Sequence, residues 1–397
     1  MTDFSKTREF FDLPKGVIYL DGNSLGPLPR NAVDRMRHVM EREWGAQLIR
    51  AWNQSDWITL PARVGARIGR LIGAPKDSVT TGDTLTIKVY QALAAALSLR
   101  PDRRKIVSDN GNFPTDLYMA EGLIRTLGRD HELVIAEPEA VADAIDEETA
   151  VVLLTHVDYR TGQMHDMEAV TRRAHAAGAL MIWDLAHSAG AVPVDLSGCG
   201  ADFAVGCTYK YLNSGPGGPA FIYVKPALQE TVEPALSGWM GHAKPFAFDL
   251  EYRAAEGIER MRVGTPPVLH LSVLDAALDI WDEVAIDDLR RCSVELCERF
   301  IAGVEAACPQ LELASPRNAA ERGSQISFRF SQGYAAMQAL IDRGVIGDFR
   351  APDIIRFGFA PLYVTAEDVD KAIVILDMVI NQRVYEEARY QTRLAVT

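Results

Sequence analysis

"ALMIWDLAHSAG", residues 179–190, sets five apolar residues before one carboxylate and then a run of small ones. A short apolar run of this kind reads as a strand buried on both faces. Asp184 ends the run, and an open α/β sheet binds its ligands outside the carboxyl ends of its strands. Aspartate is rarely buried unless paired, so something cationic should meet it there. The bland alternative is a cap for the next helix.

Outward from this strand, residues 80–225 alternate short apolar runs with helical periodicity. "KIVSD" (105–109), "ELVIA" and "AVVLLTHV" (150–157) read as further buried strands. "LTIKVYQALAAALSL" (85–99), "PTDLYMAEGLIRTLG" (114–128) and "DMEAVTRRAHAAG" (166–178) read as helices, with proline near the start of one and Gly178 ending another. This βαβα rhythm predicts a mostly parallel sheet with helices on both faces. After "RVGTPPVLHL" (262–271) the pattern changes. Long helices are expected over "SVLDAALDIWDEV" and "LRRCSVELCERFIAGVEAAC", and again over "AEDVDKAIVILDMVINQRVYE", with strands at "SQISFRFS" and "IIRFGFAPLY". The expected division is a large domain over 50–270 and a small α+β domain from 1–49 and 271–397, linked by a long helix from about residue 270. A chain of 397 residues has room for both.

A net charge of −13 argues against nucleic acid or an anionic membrane as partner. The opening "MTDFSKTREFFDLPKG" lacks a basic region followed by an apolar stretch, and no apolar run reaches roughly 18 residues. Cys199, Cys207, Cys292, Cys297 and Cys308 show no CxxC spacing and read as reduced thiols. The expected setting is therefore the cytoplasm. "HVDYRTGQMH" does not place its histidines on one helical face, so no metal is expected.

Four features of the large domain converge. Asp184 is the first. Lys210 is the second, 26 residues on, in "GCTYKYLNSGPGGPAFIYV" (206–224), a tight small-residue turn between two apolar runs. A solvated loop lysine needs no such setting. Burial favours the neutral amine that attacks a carbonyl carbon. The third is "TTGDTLTIK", a glycine turn opening a helix whose free N–H groups can cradle an anion. The fourth is "NFPTDLY" (112–118), an aromatic beside Asp116. Each alone is weak. Together they are the parts that hold pyridoxal 5'-phosphate: a Schiff-base lysine, a carboxylate for the pyridinium nitrogen, an aromatic face and a phosphate cradle.

"YLDGNSLGPLP" (19–29), "NFPTD" (112–116), "DLAHSAGAVPVDL" (184–196), "DFAVGCTYKYLNSGPGG" (202–218), "LSGWMGH" (236–242), "RVGTPP" (262–267) and "IRFGFAPLY" (355–363) span nearly the whole chain. In this order they resemble the motifs of the kynureninases. The resemblance implies a fold-type-I, pyridoxal-phosphate-dependent hydrolase, an α/β protein. It implies cleavage of L-kynurenine to anthranilate and L-alanine, or of 3-hydroxykynurenine to 3-hydroxyanthranilate, in tryptophan catabolism and NAD biosynthesis. It implies that Lys210 is the Schiff-base lysine and proton shuttle, Asp184 the partner of the pyridine nitrogen and Tyr209 a proton donor. Leu85, Thr86 and Tyr209 reach the phosphate, and Phe113, Pro114, Thr115 and Asp116 surround the ring, with His187 nearby. Trp239 and Thr265 serve the phosphate of the opposite subunit, which implies a homodimer with shared sites. Ser24 and Asn53 line the substrate pocket, and Arg356 clamps the substrate carboxylate, a task matched to a bidentate fork.

The nearest alternative is another enzyme of the same fold, such as a class V aminotransferase or a cysteine desulfurase-like lyase. A desulfurase needs a reactive cysteine near Arg356, and residues 331–355 contain none.

Overall fold

The structure, a computed structural model, describes residues 2–128 and 130–393. Its centre is a seven-stranded sheet. In chain order the strands are β2 (Val79–Thr81), β3 (Lys105–Asp109), β4 (Glu132–Ala136), β5 (Thr149–Thr155), β6 (Leu180–Asp184), β7 (Phe203–Gly206) and β8 (Phe221–Val224), where β1 is Ile18–Tyr19. They lie in the order β2-β8-β7-β6-β5-β3-β4. Only β8 runs against the rest, pairing antiparallel with both β7 and β2. The mostly parallel sheet expected from the sequence is present.

Side chains of the central strands alternate between two cores. Val152, Leu154, Met181 and Trp183 join one cluster, and Val151, Leu153, Leu180 and Ile182 the other. Helices cover both faces, which is why these strands are apolar throughout. Parallel pairing brings the carboxyl ends of β3, β5, β6 and β7 to one edge. Asp109, Thr155, Asp184 and Gly206 end there.

The second part is an antiparallel sheet ordered β12-β13-β10-β9, built from β9 (Glu312–Leu313), β10 (Gln325–Arg329), β12 (Asp348–Arg350) and β13 (Ile354–Gly358). Helices Ile286–Ala307, Gly333–Ile341 and Ala366–Asn381 pack with it around Phe300, Phe328, Phe357 and Phe359. A two-stranded parallel pairing of β1 with β11 (Val345–Ile346) ties the N-terminal segment to this part. One expectation needs correction. The linking helix predicted from about residue 270 starts at Val268, tightens into a 3₁₀ turn over Leu278–Asp282, and ends before a second helix, Ile286–Ala307. Its apolar pattern runs on through Trp281 and Val284, but those side chains fill the core from a tightened turn and a loop.

Candidate active site

Lys210 sits in the turn between β7 and β8. Asn213, Gly215 and Gly217 take left-handed backbone angles there, which lets the chain reverse in a few residues. The Thr208 hydroxyl donates to the Pro219 carbonyl across 2.6 Å, locking the turn from inside. From outside, the N–H of Gly26 donates to the Tyr209 carbonyl at 2.7 Å. A Cβ at Gly26 would lie 2.3 Å from the Lys210 carbonyl, so the "GNSLG" glycine is required by close backbone approach. The desolvated lysine expected from the sequence is half-buried instead, because it stands on a cavity wall.

That cavity, of about 190 Å³, gathers most of the expected residues: Ser24, Leu85, Thr86, Phe113, Thr115, Asp116, Asp184, His187, Tyr209, Lys210 and Arg356. The Lys210 amine donates to His187 Nε2 at 2.9 Å. His187 Nδ1 lies 3.1 Å from Gln325 Oε1. The Gln325 amide N–H groups are spent on the Asp158 and Tyr159 carbonyls, so its oxygen must face the ring. This makes Nδ1 the protonated nitrogen of a neutral imidazole. Burial, then the charge of Lys210, holds the His187 pKa well below its ordinary value, consistent with that tautomer.

Asp184 ends β6 as predicted and is 1% exposed. Its Oδ1 accepts the Ala186 N–H at 2.7 Å, so it does brace a turn, but no helix follows that it could cap. Asp116, also 1% exposed, faces it from the first turn of the helix Pro114–Leu127, and its Oδ2 finds no donor in the chain. Burial raises both carboxyls. The Asp184 charge pushes Asp116 further, well above its usual range, while Lys210 restrains Asp184 to about 6. The two carboxyls face each other between helix and sheet, so ionisation of one disfavours ionisation of the other.

Opposite the carboxyls lies the start of the helix Leu85–Ser98. Thr84 caps it, taking the Ile87 N–H at 3.4 Å, and the N–H groups of Leu85 and Thr86 have no intrahelical acceptor. Phe113 stands 5.1 Å from Tyr159 in a T-shaped contact and is exposed. Pro114 opens its helix. An amine, a buried carboxyl pair with one oxygen left without a donor, an aromatic ring and an N–H cradle thus meet in one cavity. They fit a flat, cationic heteroaromatic ring bearing an aldehyde and a phosphate.

Arg356 on β13 is 1% exposed and bound to Asp348, Ser24 and the Tyr159 carbonyl. Four expected residues do not line the cavity of one chain: Pro114, which opens the helix behind Phe113, and Asn53, Thr265 and Trp239. Asn53 is exposed, its short helix anchored by the Trp52–Trp57 contact at 5.8 Å. Thr265 is exposed, and Trp239 packs on Phe246 at 5.6 Å, 41% exposed. Sequence reasoning missed Asn23, Thr155, Tyr159 and Arg350, which do line it. Asn23 follows directly from the "GNSLG" motif. The others come to the cavity only through strand ends and cross-strand pairing.

The fold and this constellation define a class. A cysteine desulfurase from Thermococcus onnurineus NA1 superposes with a TM-score of 0.80 at 19% identity, covering 95% of this chain and 98% of that one. A C-DES variant with glycine covalently linked to its pyridoxal phosphate cofactor gives 0.81 at 18%, over 93% and 98%. At such identity the likeness shows the fold, that of the pyridoxal-phosphate enzymes of type I. Residues 123–218 match the DegT/DnrJ/EryC1/StrS aminotransferase family, and residues 289–376 match the kynureninase C-terminal domain. A kynureninase of Burkholderia mallei is 51% identical, over 98% of this chain and 95% of its own. The chain belongs to the kynureninase family.

Proposed function

We propose that the chain hydrolyses the Cβ–Cγ bond of L-kynurenine to give anthranilate and L-alanine, with pyridoxal phosphate in the cavity beside Lys210. The observation that carries this reading is the meeting of Lys210, the Asp116–Asp184 pair and the Leu85–Thr86 N–H groups around one cavity, in a chain of this family. When bound, pyridoxal phosphate supplies an aldehyde for the amines of Lys210 and substrate and a ring that takes up the electron pair left at Cα.

The chain's own residues do the rest. Lys210 anchors the cofactor and, once displaced by substrate, accepts the Cα proton on Nζ. The neutral His187 orients that amine through Nε2. Asp184 would meet the ring nitrogen, with the Asp116 carboxyl buried against it. Leu85 and Thr86 would hold the phosphate, and Phe113, Pro114 and Thr115 would hold the ring. Tyr209 donates a proton to the reacting substrate, its phenol kept protonated by Cys207 and by burial. Ser24 and Arg356 serve the substrate carboxylate. Water adds its oxygen to the ketone carbon, the Cβ–Cγ bond breaks, and the electron pair left on Cβ takes a proton.

We assign Trp239 and Thr265 to a neighbouring subunit's phosphate in a homodimer, and Asn53 to the substrate pocket. The exposed aromatic group Trp239, Phe246 and Phe248 supports a partner surface. The division at 50–270 and 1–49 with 271–397 is supported by the pairing of β1 with β11. A cytoplasmic setting in tryptophan catabolism accords with five unpaired cysteines. Among the described residues no cysteine lines the cavity with Arg356, which counts against a desulfurase reading. No helix among the described residues is long and apolar enough to cross a membrane. Anthranilate fluorescence on mixing kynurenine with the cofactor-loaded chain tests the proposal. Transamination products, or sulfur release from cysteine, with no anthranilate would refute it.

A further inference from the structure

The helix Leu85–Ser98 is apolar along most of its length, yet it buries a lysine near its start. Lys88 is 1% exposed. Its Nζ donates to Asp83 Oδ2 at 3.1 Å, to Gln91 Oε1 at 2.8 Å and to the Met261 carbonyl at 3.4 Å. The Gln91 amide N–H goes to that same carbonyl at 3.1 Å, so the Gln91 oxygen must face the lysine. Three acceptors thus surround Nζ, one for each N–H of an ammonium. Burial lowers its pKa, and the Asp83 charge opposes that shift.

Asp83 is the charge this cation answers. It stands directly before Thr84, the cap of the helix whose Leu85 and Thr86 N–H groups form the cradle. Its backbone is left-handed, φ 56°, and the turn is pinned to the entry of β8. The Gly82 N–H donates to the Ala220 carbonyl at 2.9 Å, and the Ala220 N–H to the Asp83 carbonyl at 3.0 Å. The backbone therefore fixes Asp83 beside the cradle, its side chain 34% exposed. A bare carboxylate there would repel a phosphate dianion. Lys88 cancels it. The neighbouring Arg262 is paired in its turn, donating from Nη1 to Glu259 Oε2 at 2.8 Å.

We propose that Lys88 is a positioning residue for the cofactor's phosphate. It neutralises and holds Asp83, so that the Leu85 and Thr86 N–H groups meet a dianion without an opposing charge. This rests on the placement of the phosphate at that helix start, and not on the substrate's identity. An ion pair that only braced the helix against Met261 would serve every form of the cofactor alike.

Equilibrium dialysis of the full chain against pyridoxal phosphate and against 5'-deoxypyridoxal, which keeps ring and aldehyde but has no phosphate, measures the preference for the phosphate. The wild type should hold the phosphorylated form about a hundredfold more tightly or better, as for two hydrogen bonds to a charged group. Lys88→Met should lose about tenfold or more of that preference, the scale of one unit charge near a dianion. The loss should fall on pyridoxal phosphate alone, with circular dichroism and 5'-deoxypyridoxal affinity unchanged. Adding Asp83→Asn to Lys88→Met should restore the preference, since both charges are then gone. If Lys88→Met does not fold, Lys88→Gln decides, because it keeps an amide donor and lacks the charge. A single variant with the full preference, an equal loss for both ligands, or no recovery in the double variant overturns the proposal. Thr86→Glu tests the placement separately, since it sets a carboxylate in the cradle itself and should abolish the preference. If Thr86→Glu loses the preference and Lys88→Met keeps it, the placement stands and the role of Lys88 falls. If Thr86→Glu keeps it, the phosphate lies elsewhere and both fall.

Discussion

The amine of Lys210 donates to Nε2 of His187 across 2.9 Å, and His187 is held in that tautomer by Gln325 on β10 of the antiparallel sheet. The lysine turn of one sheet is thereby fixed by a strand of the other. Replacement of Lys210 by Ala should leave that framework standing and remove the covalent anchor. Borohydride reduction followed by mass spectrometry should find cofactor mass on the wild-type peptide holding Lys210 and none on the variant. Steady anthranilate release should also vanish. Normal turnover by the variant would return Lys210 to an ordinary loop cation.

Asp184→Asn should lower turnover by roughly three orders of magnitude, on the order of the ~4 kcal/mol lost with a preorganised charge partner. The fold should persist, because the amide is nearly isosteric and still accepts the Ala186 N–H. Rates measured at saturating cofactor check this. A loss below tenfold would leave Asp184 as a brace of its turn alone.

Asp21 gives a pH-dependent stability with a definite sign. Its carboxyl is raised from 3.8 to about 8, first by burial and then by the Asp348 charge, with Arg356 opposing. Between about pH 4 and 8 the folded chain therefore holds a proton that the unfolded chain has released, and stability falls as pH rises through that window. Asp116 and Asp184 shift in the same direction. Asp21→Asn cannot ionise and should show a shallower fall in Tm between pH 6 and 8.5 in the cofactor-free chain. Equal slopes for variant and wild type would mean that Asp21 is ionised in the folded state.

Trp239→Ala tests whether assembly and cofactor retention are coupled. If Trp239 completes a neighbouring site, pyridoxal phosphate favours the dimer by linkage, and the variant should weaken both together. Sedimentation at several protein concentrations, with and without cofactor, provides the readout. A monomer that binds the cofactor as tightly as the dimer would show that each subunit builds its site alone.

Much of this protein was legible in its residues. Continuous apolar runs such as Leu180–Trp183 announce strands covered on both faces, because only a sheet buried between helices needs no polar side. Asp184 at the end of such a run, and Lys210 in a turn of small residues, announce a ligand edge, since local backbone and burial alone decide both. The break near Leu278 was hidden, because Trp281 and Val284 extend the helix's apolar pattern while lying in a 3₁₀ turn and the loop after it.

What sequence could not supply is the pairing of distant groups. Nothing local brings Gln325 to His187, 138 residues away, or sets Asp348 opposite Arg356 so that the guanidinium spends its N–H groups inside the chain. Strand register decides those contacts, and register is a property of the assembled sheets. The residue types determined by themselves which chemistry the chain can hold. Only the tertiary structure decided that Arg356 turns its guanidinium onto Asp348, Ser24 and the Tyr159 carbonyl, because a hydrogen-bond partner is reached only where the packed chain brings it.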